Sequence, residues 1–239
     1  MTKENYLNLS ISQKSSDKAG DNKEMILARK ELLQSGKYQP LADKLVELVD
    51  KYSEKSSVLL DLGCGWGYYV NHIQNKSEKT RTYLATDLSK DAIKIGGKLN
   101  TYVDFCIANS YHLPLADKSV DILLCVFSPY AMDEIDRVLA NDGKAIFVYP
   151  NEYHLWELKQ SIYGESVHPK DFEVDFAPLK EIEKTSLAYS FELTSSAQIH
   201  NLITMTPYVY TTPKQMLERA ESVEQMQVRA DFGISVLQK

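Results

Sequence analysis

Cysteine is scarce. The 239 residues hold three, Cys64, Cys106 and Cys125, and none stands in a C-x-x-C pair. A zinc-ribbon spacing is therefore excluded, and no metal site is expected. All three lie in apolar or glycine-rich surroundings, as small buried thiols do, which fits a reducing cytoplasm. An excess of basic residues is also missing: 27 Lys and Arg stand against 33 Asp and Glu, a net charge of -6. Neutralising phosphates needs Lys and Arg, so a broad nucleic-acid face is disfavoured, although a local basic cleft is not. No apolar run approaches the roughly 20 residues of a membrane span. The opening "MTKENYLNLSIS" lacks the apolar core of a secretory leader. Repeats and low-complexity tracts are absent too. What remains is 44% hydrophobic and 25% charged. That is enough to bury a sizeable core in one α/β domain with a small accessory element.

Residues 8–23 are polar and read as a loop or arm. "EMILARKELLQSGKY" has helical spacing with Gly36 as its stop, and "PLADKLVELVDKY" follows as an amphipathic helix with Pro40 in its first turn. From Val58 short apolar runs alternate with helical segments: "VLLDLG", "TYLATDL", "YVDFCIAN", "VDILLCVFS" and "KAIFVYP". Alternation of this kind predicts a parallel sheet built from right-handed crossovers. "NEYHLWELKQSIY" reads as a helix, and "GESVHPKDFEVDFAPLK" as an acidic connection. "EIEKTSLAYSFEL" reads as an edge or antiparallel strand, two short helices follow, and "VRADFGISVLQK" is a last strand. The expected fold is α/β: a doubly wound, mainly parallel seven-stranded sheet with an N-terminal helical cap. Residues 1–37 form the arm and cap helix, and residues 38–239 the main domain.

"VLLDLGCGWGYYV" runs from strand through glycine turn to helix. Glycines let a ligand approach the chain, and helix N-termini attract anionic groups. Yet Gly63, Gly65 and Gly67 do not make the dinucleotide fingerprint, because Tyr68 stands where its third glycine belongs, and no G-K-S/T follows. Asp61 precedes the glycines. A carboxylate there repels a pyrophosphate but accepts from a cationic amino group, directly or through water. Asp87, at the tip of the next strand with Leu88 behind it, is placed to take both ribose hydroxyls. It can also be read as a helix N-cap. Asn109 and Ser110 end the third strand and can read an adenine edge, with Leu113 against the ring. An amino-acid end, a ribose and an adenine without phosphate describe S-adenosylmethionine. The pattern resembles class I S-adenosylmethionine-dependent methyltransferases.

Longer blocks narrow the resemblance. "GDNKEMILARKELLQSGKYQPL", "LGCGWGYYV", "YPNEYHLWELKQSIY" and "NLITMTPYVYTTP" occur in the order found in the bacterial large-subunit ribosomal RNA guanine-N1 methyltransferases, some of which confer resistance to macrolides such as tylosin. The similarity covers nearly the whole chain. It implies that Tyr38 folds over the cofactor, that Gly65 and Trp66 supply loop backbone, and that His154 lies near the methionine end. Read alone, Tyr38 is a core aromatic and His154 a core or surface residue. Three departures stand out. Members of that family open with a zinc ribbon, and this chain starts where the ribbon would end, so the metal site and its RNA grip are expected to be absent. Trp66 replaces an acid. "FSPY", 127–130, replaces an A-P-C-like turn. It loosely resembles the N-P-P-Y type loop in which an aromatic stacks on the target base, though it also reads as a simple strand-ending turn.

A guanine N1 must lose its proton, and a target base inside a duplex must be flipped out. His154 and Tyr130 are candidates for the base, with neither assigned. Lys14, Lys18, Lys23, Lys30 and Lys159 are the candidates for a basic cleft. The expected activity is methyl transfer to a guanine N1 of large-subunit ribosomal RNA. The alternatives are a small-molecule methyltransferase that lost the RNA module and a non-catalytic cofactor-binding protein. The implied setting is cytoplasmic, without a membrane partner, and relatives suggest a homodimer.

Overall fold

The computed structural model describes residues 5–9, 21–164, 168–169, 174–206 and 208–239. The N-terminal element is a strand, β1 (Tyr6–Asn8), followed by helices α1 (Lys23–Gln34) and α2 (Gln39–Tyr52). Asn22 caps α1 by accepting from the Met25 N–H at 2.9 Å. Pro40 stands in the first turn of α2, where no backbone N–H is missed. Then come β2 (Val58–Leu62), α3 (Tyr68–Lys76), β3 (Thr82–Asp87), α4 (Lys90–Leu99), β4 (Val103–Ile107), β5 (Val120–Val126), α5 (Met132–Val138) and β6 (Leu139–Pro150). The chain ends with α6 (Trp156–Tyr163), β7 (Lys180–Leu193), α7 (Ser196–Thr204), α8 (Tyr208–Thr211), α9 (Lys214–Glu221) and β8 (Met226–Gln238).

The strands form one sheet in the order β1-β4-β3-β2-β5-β6-β8-β7. The pairs from β1 to β6 are parallel, and β8 runs antiparallel to β6 and β7. The sheet thus has eight strands, one more than the sequence pattern predicts. The extra strand is β1, whose three residues are too few to show a period. Tyr6 is buried against β4, and the Leu9 N–H extends the pairing to the Ile107 carbonyl. Strand order reverses beside β2, between β3 and β5, which is where open α/β sheets bind ligands.

The two faces are unequal. The larger core takes side chains from α1, α2, α3, α4, α6, α7 and α9, among them Leu41, Leu45, Val70, Ile93, Leu158 and Leu202. The smaller core holds Leu60, Leu62, Leu123 and Phe147 under Ile135 and Val138 of α5. β2 feeds both cores in alternation, which is why it reads as an unbroken apolar run interrupted only by Asp61.

A second difference concerns 151–163. Only Trp156–Tyr163 is helical, and Leu155 takes a left-handed φ of 54°. The Leu155 N–H donates to the Arg229 carbonyl at 2.8 Å, and the Asn151 N–H to the Asp231 carbonyl at 2.9 Å. Tying these residues to β8 prevents the helix from starting earlier. Most of the predicted arm, residues 10–20, and residues 165–167 and 170–173 of the acidic connection lie outside the described residues. Among the described residues no helix is long and apolar enough to cross a membrane.

Candidate active site

The glycine turn is held by β3. The Gly63 and Cys64 N–H groups both donate to the Thr86 carbonyl, at 2.8 and 2.9 Å. Gly63, Gly65 and Gly67 take φ values of 69°, 56° and 83°, the left-handed region that glycine enters without strain. Space also demands glycine at 63, since a Cβ there would lie 1.7 Å from Ser128 Oγ. The turn after β2 and the turn after β5 are therefore in contact at the point where strand order reverses.

Two carboxylates stand at the strand tips. Asp61 is 1% exposed, and burial drives its carboxyl up to about 7, opposed by the Val70 backbone N–H and reinforced by Asp87. Asp87 accepts from the Ser89 N–H at 2.7 Å and from the Gly65 N–H at 2.9 Å. Burial raises it too, against those two bonds and the nearby Arg29 guanidinium. The cap of α4 is Ser89, whose hydroxyl accepts from Ala92, so Asp87 is not spent as a helix cap.

Among the described residues four buried side-chain polar atoms have no hydrogen-bond partner: Tyr38 OH, Asp61 Oδ2, Trp66 Nε1 and Thr86 Oγ1. All four belong to the glycine turn, the strands beneath it or the helix junction predicted to cover it. Each such orphan costs about 1–3 kcal/mol. Tyr38, Trp66 and Asp61 lie on the face of the larger core, where one polar ligand can satisfy them, whereas Thr86, in register with Leu62, lies on the face of the smaller core. Asp61 and Asp87 oppose each other's ionisation, the Arg29 guanidinium near Asp87 is already paired with Asp21, and S-adenosylmethionine carries one more positive than negative charge.

Arg29 was not singled out by the motifs. It donates to Asp21 and, at 3.0 Å, to the Met205 carbonyl, and so joins α1 to the end of α7. Its signal was present: positions 25, 26, 29, 32 and 33 share one helix face, and all but Arg29 are apolar.

The remaining predicted residues divide. Leu88, Asn109 and Ser110 are half-buried beyond β3 and β4, and Asn109 Oδ1 accepts from the Tyr111 N–H at 3.0 Å. Leu113 is taken up by the smaller core, 5% exposed, and keeps little free face. Tyr38 is buried against Phe191 and Phe232, at 5.9 Å from each ring. His154 is half-buried, in the turn before α6 rather than on a helix. Its Nδ1 accepts from the Asp231 N–H at 3.2 Å. Desolvation and Lys159 lower its imidazolium to about 3. The ring is thus neutral with its proton on Nε2, a donor and not a base. Tyr130 is half-buried and packs against the smaller core, 4.9 Å from the Phe147 ring. The aromatic that the "FSPY" turn presents beside His154 is instead Phe127. Of the candidate cleft lysines, Lys23 and Lys30 are on α1 and Lys159 on α6, while Lys14 and Lys18 lie outside the described residues.

Residues 60–147 match the family model described as a methyltransferase domain. The chain carries a class I S-adenosylmethionine-dependent methyltransferase domain. A Bacillus subtilis relative, provisionally named a 23S rRNA (guanine-N(1)-)-methyltransferase, is 29% identical over 89% of this chain and 79% of its own. The Streptomyces fradiae 23S rRNA (guanine(748)-N(1))-methyltransferase is 28% identical over 68% of this chain and 58% of its own. Among solved structures, a protein from Bacillus halodurans titled provisionally as a methyltransferase superposes with a TM-score of 0.55 at 14% identity, over 82% of this chain and 99% of that one. The [4+2]-cyclase SpnF gives 0.54 at 15% identity, over 82% and 80%. These two likenesses show the fold alone, and the cyclase illustrates that a fold does not dictate a reaction.

Proposed function

We propose that this methyltransferase acts on the N1 of a guanine in 23S ribosomal RNA. The observation that carries the reading is the alignment with the Bacillus subtilis relative, which spans most of both chains and not the methyltransferase domain alone. A metabolite acceptor has no comparable support. In this reading residues 1–37 are the arm and cap, residues 38–239 the methyltransferase domain, and the setting is cytoplasmic.

S-adenosylmethionine supplies an activated methyl group on a sulfonium. Asp61 accepts from its ammonium. Asp87 takes the ribose hydroxyls, with lone pairs left beyond the two backbone N–H groups it already accepts from. Asn109 and Ser110 read the adenine edge, while Leu88 and Leu113 pack beside the ring. Gly63 and Gly65 allow close backbone approach. Tyr38 and Trp66 close over the cofactor with their unpaired OH and Nε1–H, and the Nε2–H of His154 faces its methionine end. The chain's task is alignment and exclusion of water, because the leaving group is already good. The N1 proton leaves to a base other than His154, which holds a proton on Nε2.

The test is transfer of labelled methyl to unmodified 23S rRNA and, separately, to a small-molecule extract of the source cells. The expected outcome is label in RNA and a reverse-transcription stop one nucleotide before a single guanine, since N1-methylation blocks the Watson–Crick edge. Label confined to the extract would overturn the reading in favour of a metabolite.

A further inference from the structure

The connection between β4 and β5, residues 108–119, carries Asn109, Ser110 and Leu113. Apart from one bridge between Asn109 and His112 it contains neither helix nor strand. Its hydrogen bonds lead to a single helix, α5. The Lys118 and Ser119 N–H groups donate to the Arg137 and Val138 carbonyls, both at 2.9 Å. Nearer β4, Glu134 Oε1 accepts from the Leu113 N–H at 2.5 Å, and Arg137 Nη2 donates to the Leu113 carbonyl at 3.1 Å. Arg137 Nη1 donates to the Leu115 carbonyl at 2.8 Å and to Asp117 Oδ1 at 2.7 Å. A fork joins the two side chains, Nε to Oε2 at 2.9 Å and Nη2 to Oε1 at 2.7 Å. One ion pair on α5 thus grips both polar backbone groups of Leu113.

An exposed ion pair contributes little by itself. Here each charged group also satisfies backbone, and only a planar guanidinium has donors for all these acceptors at once. Hydrogen bonding to Arg137 holds the Glu134 carboxyl below its usual range, so it stays an acceptor. The residues just before Leu113 close on themselves. The His112 N–H donates to the Asn109 carbonyl at 3.0 Å, and the Tyr111 N–H to Asn109 Oδ1 at 3.0 Å. With Oδ1 engaged, what the Asn109 amide chiefly offers a ligand is its two N–H donors. A donor fits the bare N1 of adenine and not the protonated N1 of a 6-oxopurine.

We infer that Glu134 and Arg137 are positioning residues for the base of the cofactor: through Leu113 they hold the Asn109 turn so that it selects adenine over a 6-oxopurine. The inference rests on the proposed reading in which Asn109 and Ser110 meet the adenine edge, and it adds the pair that sets them in place. Neither side chain needs to touch the cofactor.

The test is titration calorimetry with S-adenosylhomocysteine and S-inosylhomocysteine, which differ only at the base. Wild type should prefer the adenine ligand about tenfold or more, the effect of one hydrogen bond lost and one donor left unpaired. Arg137→Met should bind S-adenosylhomocysteine about tenfold more weakly and S-inosylhomocysteine within about twofold of wild type, and so lose the preference. Glu134→Gln keeps an acceptor for the Leu113 N–H but not the ion pair. It should fall between, and it carries the test if Arg137→Met does not fold. A preference unchanged in the variants overturns the inference. Equal weakening of both ligands also overturns it, since the pair would then only support the cradle. Wild type that binds both ligands equally overturns it while leaving the cofactor reading intact. Wild type that binds neither refutes the cofactor reading, and the inference falls with it.

Discussion

Asp61 concentrates the tension between stability and function. Its carboxyl is raised from 3.8 to about 7 by burial, so between those values the folded chain binds a proton that the unfolded chain has released. Stability of the cofactor-free protein therefore falls as pH rises from about 4 to about 7, by about 4 kcal/mol, and is flat with respect to this group above that. A cationic ammonium beside the carboxylate reverses the preference, so cofactor affinity should rise from pH 6 to pH 8. Asp61→Asn should melt higher than wild type at pH 8 in the absence of ligand, lose the decline between pH 4 and 7, and bind S-adenosylhomocysteine at least about 100-fold more weakly. Thermal melts across pH and titration calorimetry check all three. A variant that melts lower than wild type at pH 8 would show that Asp61 is structural. The position of Asp61 was legible because an acid interrupts an apolar strand before glycines. That Phe127 and not Tyr130 lies beside His154 was not legible, because nothing in "FSPY" says which of its two rings turns that way. It follows from the left-handed turn, which carries Phe127 to His154 and leaves Tyr130 half-buried against the smaller core.

At the scale of elements, the site is made where two turns touch. Gly63→Ala meets both a φ of 69° and the Ser128 side chain, and should cost about 2–4 kcal/mol along with cofactor binding. Removing the obstacle with Ser128→Gly should recover more than 1 kcal/mol of that loss in a double-mutant cycle by chemical denaturation. Strict additivity would mean the turns are not in contact. The alternation of strands and helices was visible in the apolar periods, because buried parallel strands are short and bounded by turns. The element missed was β1, where pairing with β4 rather than any local pattern makes three residues a strand. The element overestimated was the helix carrying His154. Its first residues have helical composition, but hydrogen bonds to β8 hold them in a turn, and those bonds join residues about 75 positions apart.

For the whole molecule, the unpaired polar atoms of Tyr38, Asp61 and Trp66 come from the α1–α2 junction, β2 and the glycine turn, so in the proposed reading the cofactor would join these elements. Binding should stabilise the fold as a unit. At a concentration about 100 times its Kd, S-adenosylhomocysteine should add about 2.7 kcal/mol, a rise in Tm of about 5–10 °C. A dinucleotide should add nothing, since Asp61 faces the place its pyrophosphate would take. A shift with NAD and none with S-adenosylhomocysteine would refute the assignment of the cradle. The sequence by itself determined the class of the fold, the glycine turn and its two carboxylates. Each is encoded within a few neighbouring residues, where apolar period and backbone sterics act. Only the tertiary structure decided which atoms are left unpaired, that Arg29 comes near Asp87, that His154 accepts through Nδ1 and so carries its proton on Nε2, and which ring of the β5 turn lies beside His154. Those depend on burial and on contacts between elements far apart in the chain, and local spacing carries no information about them.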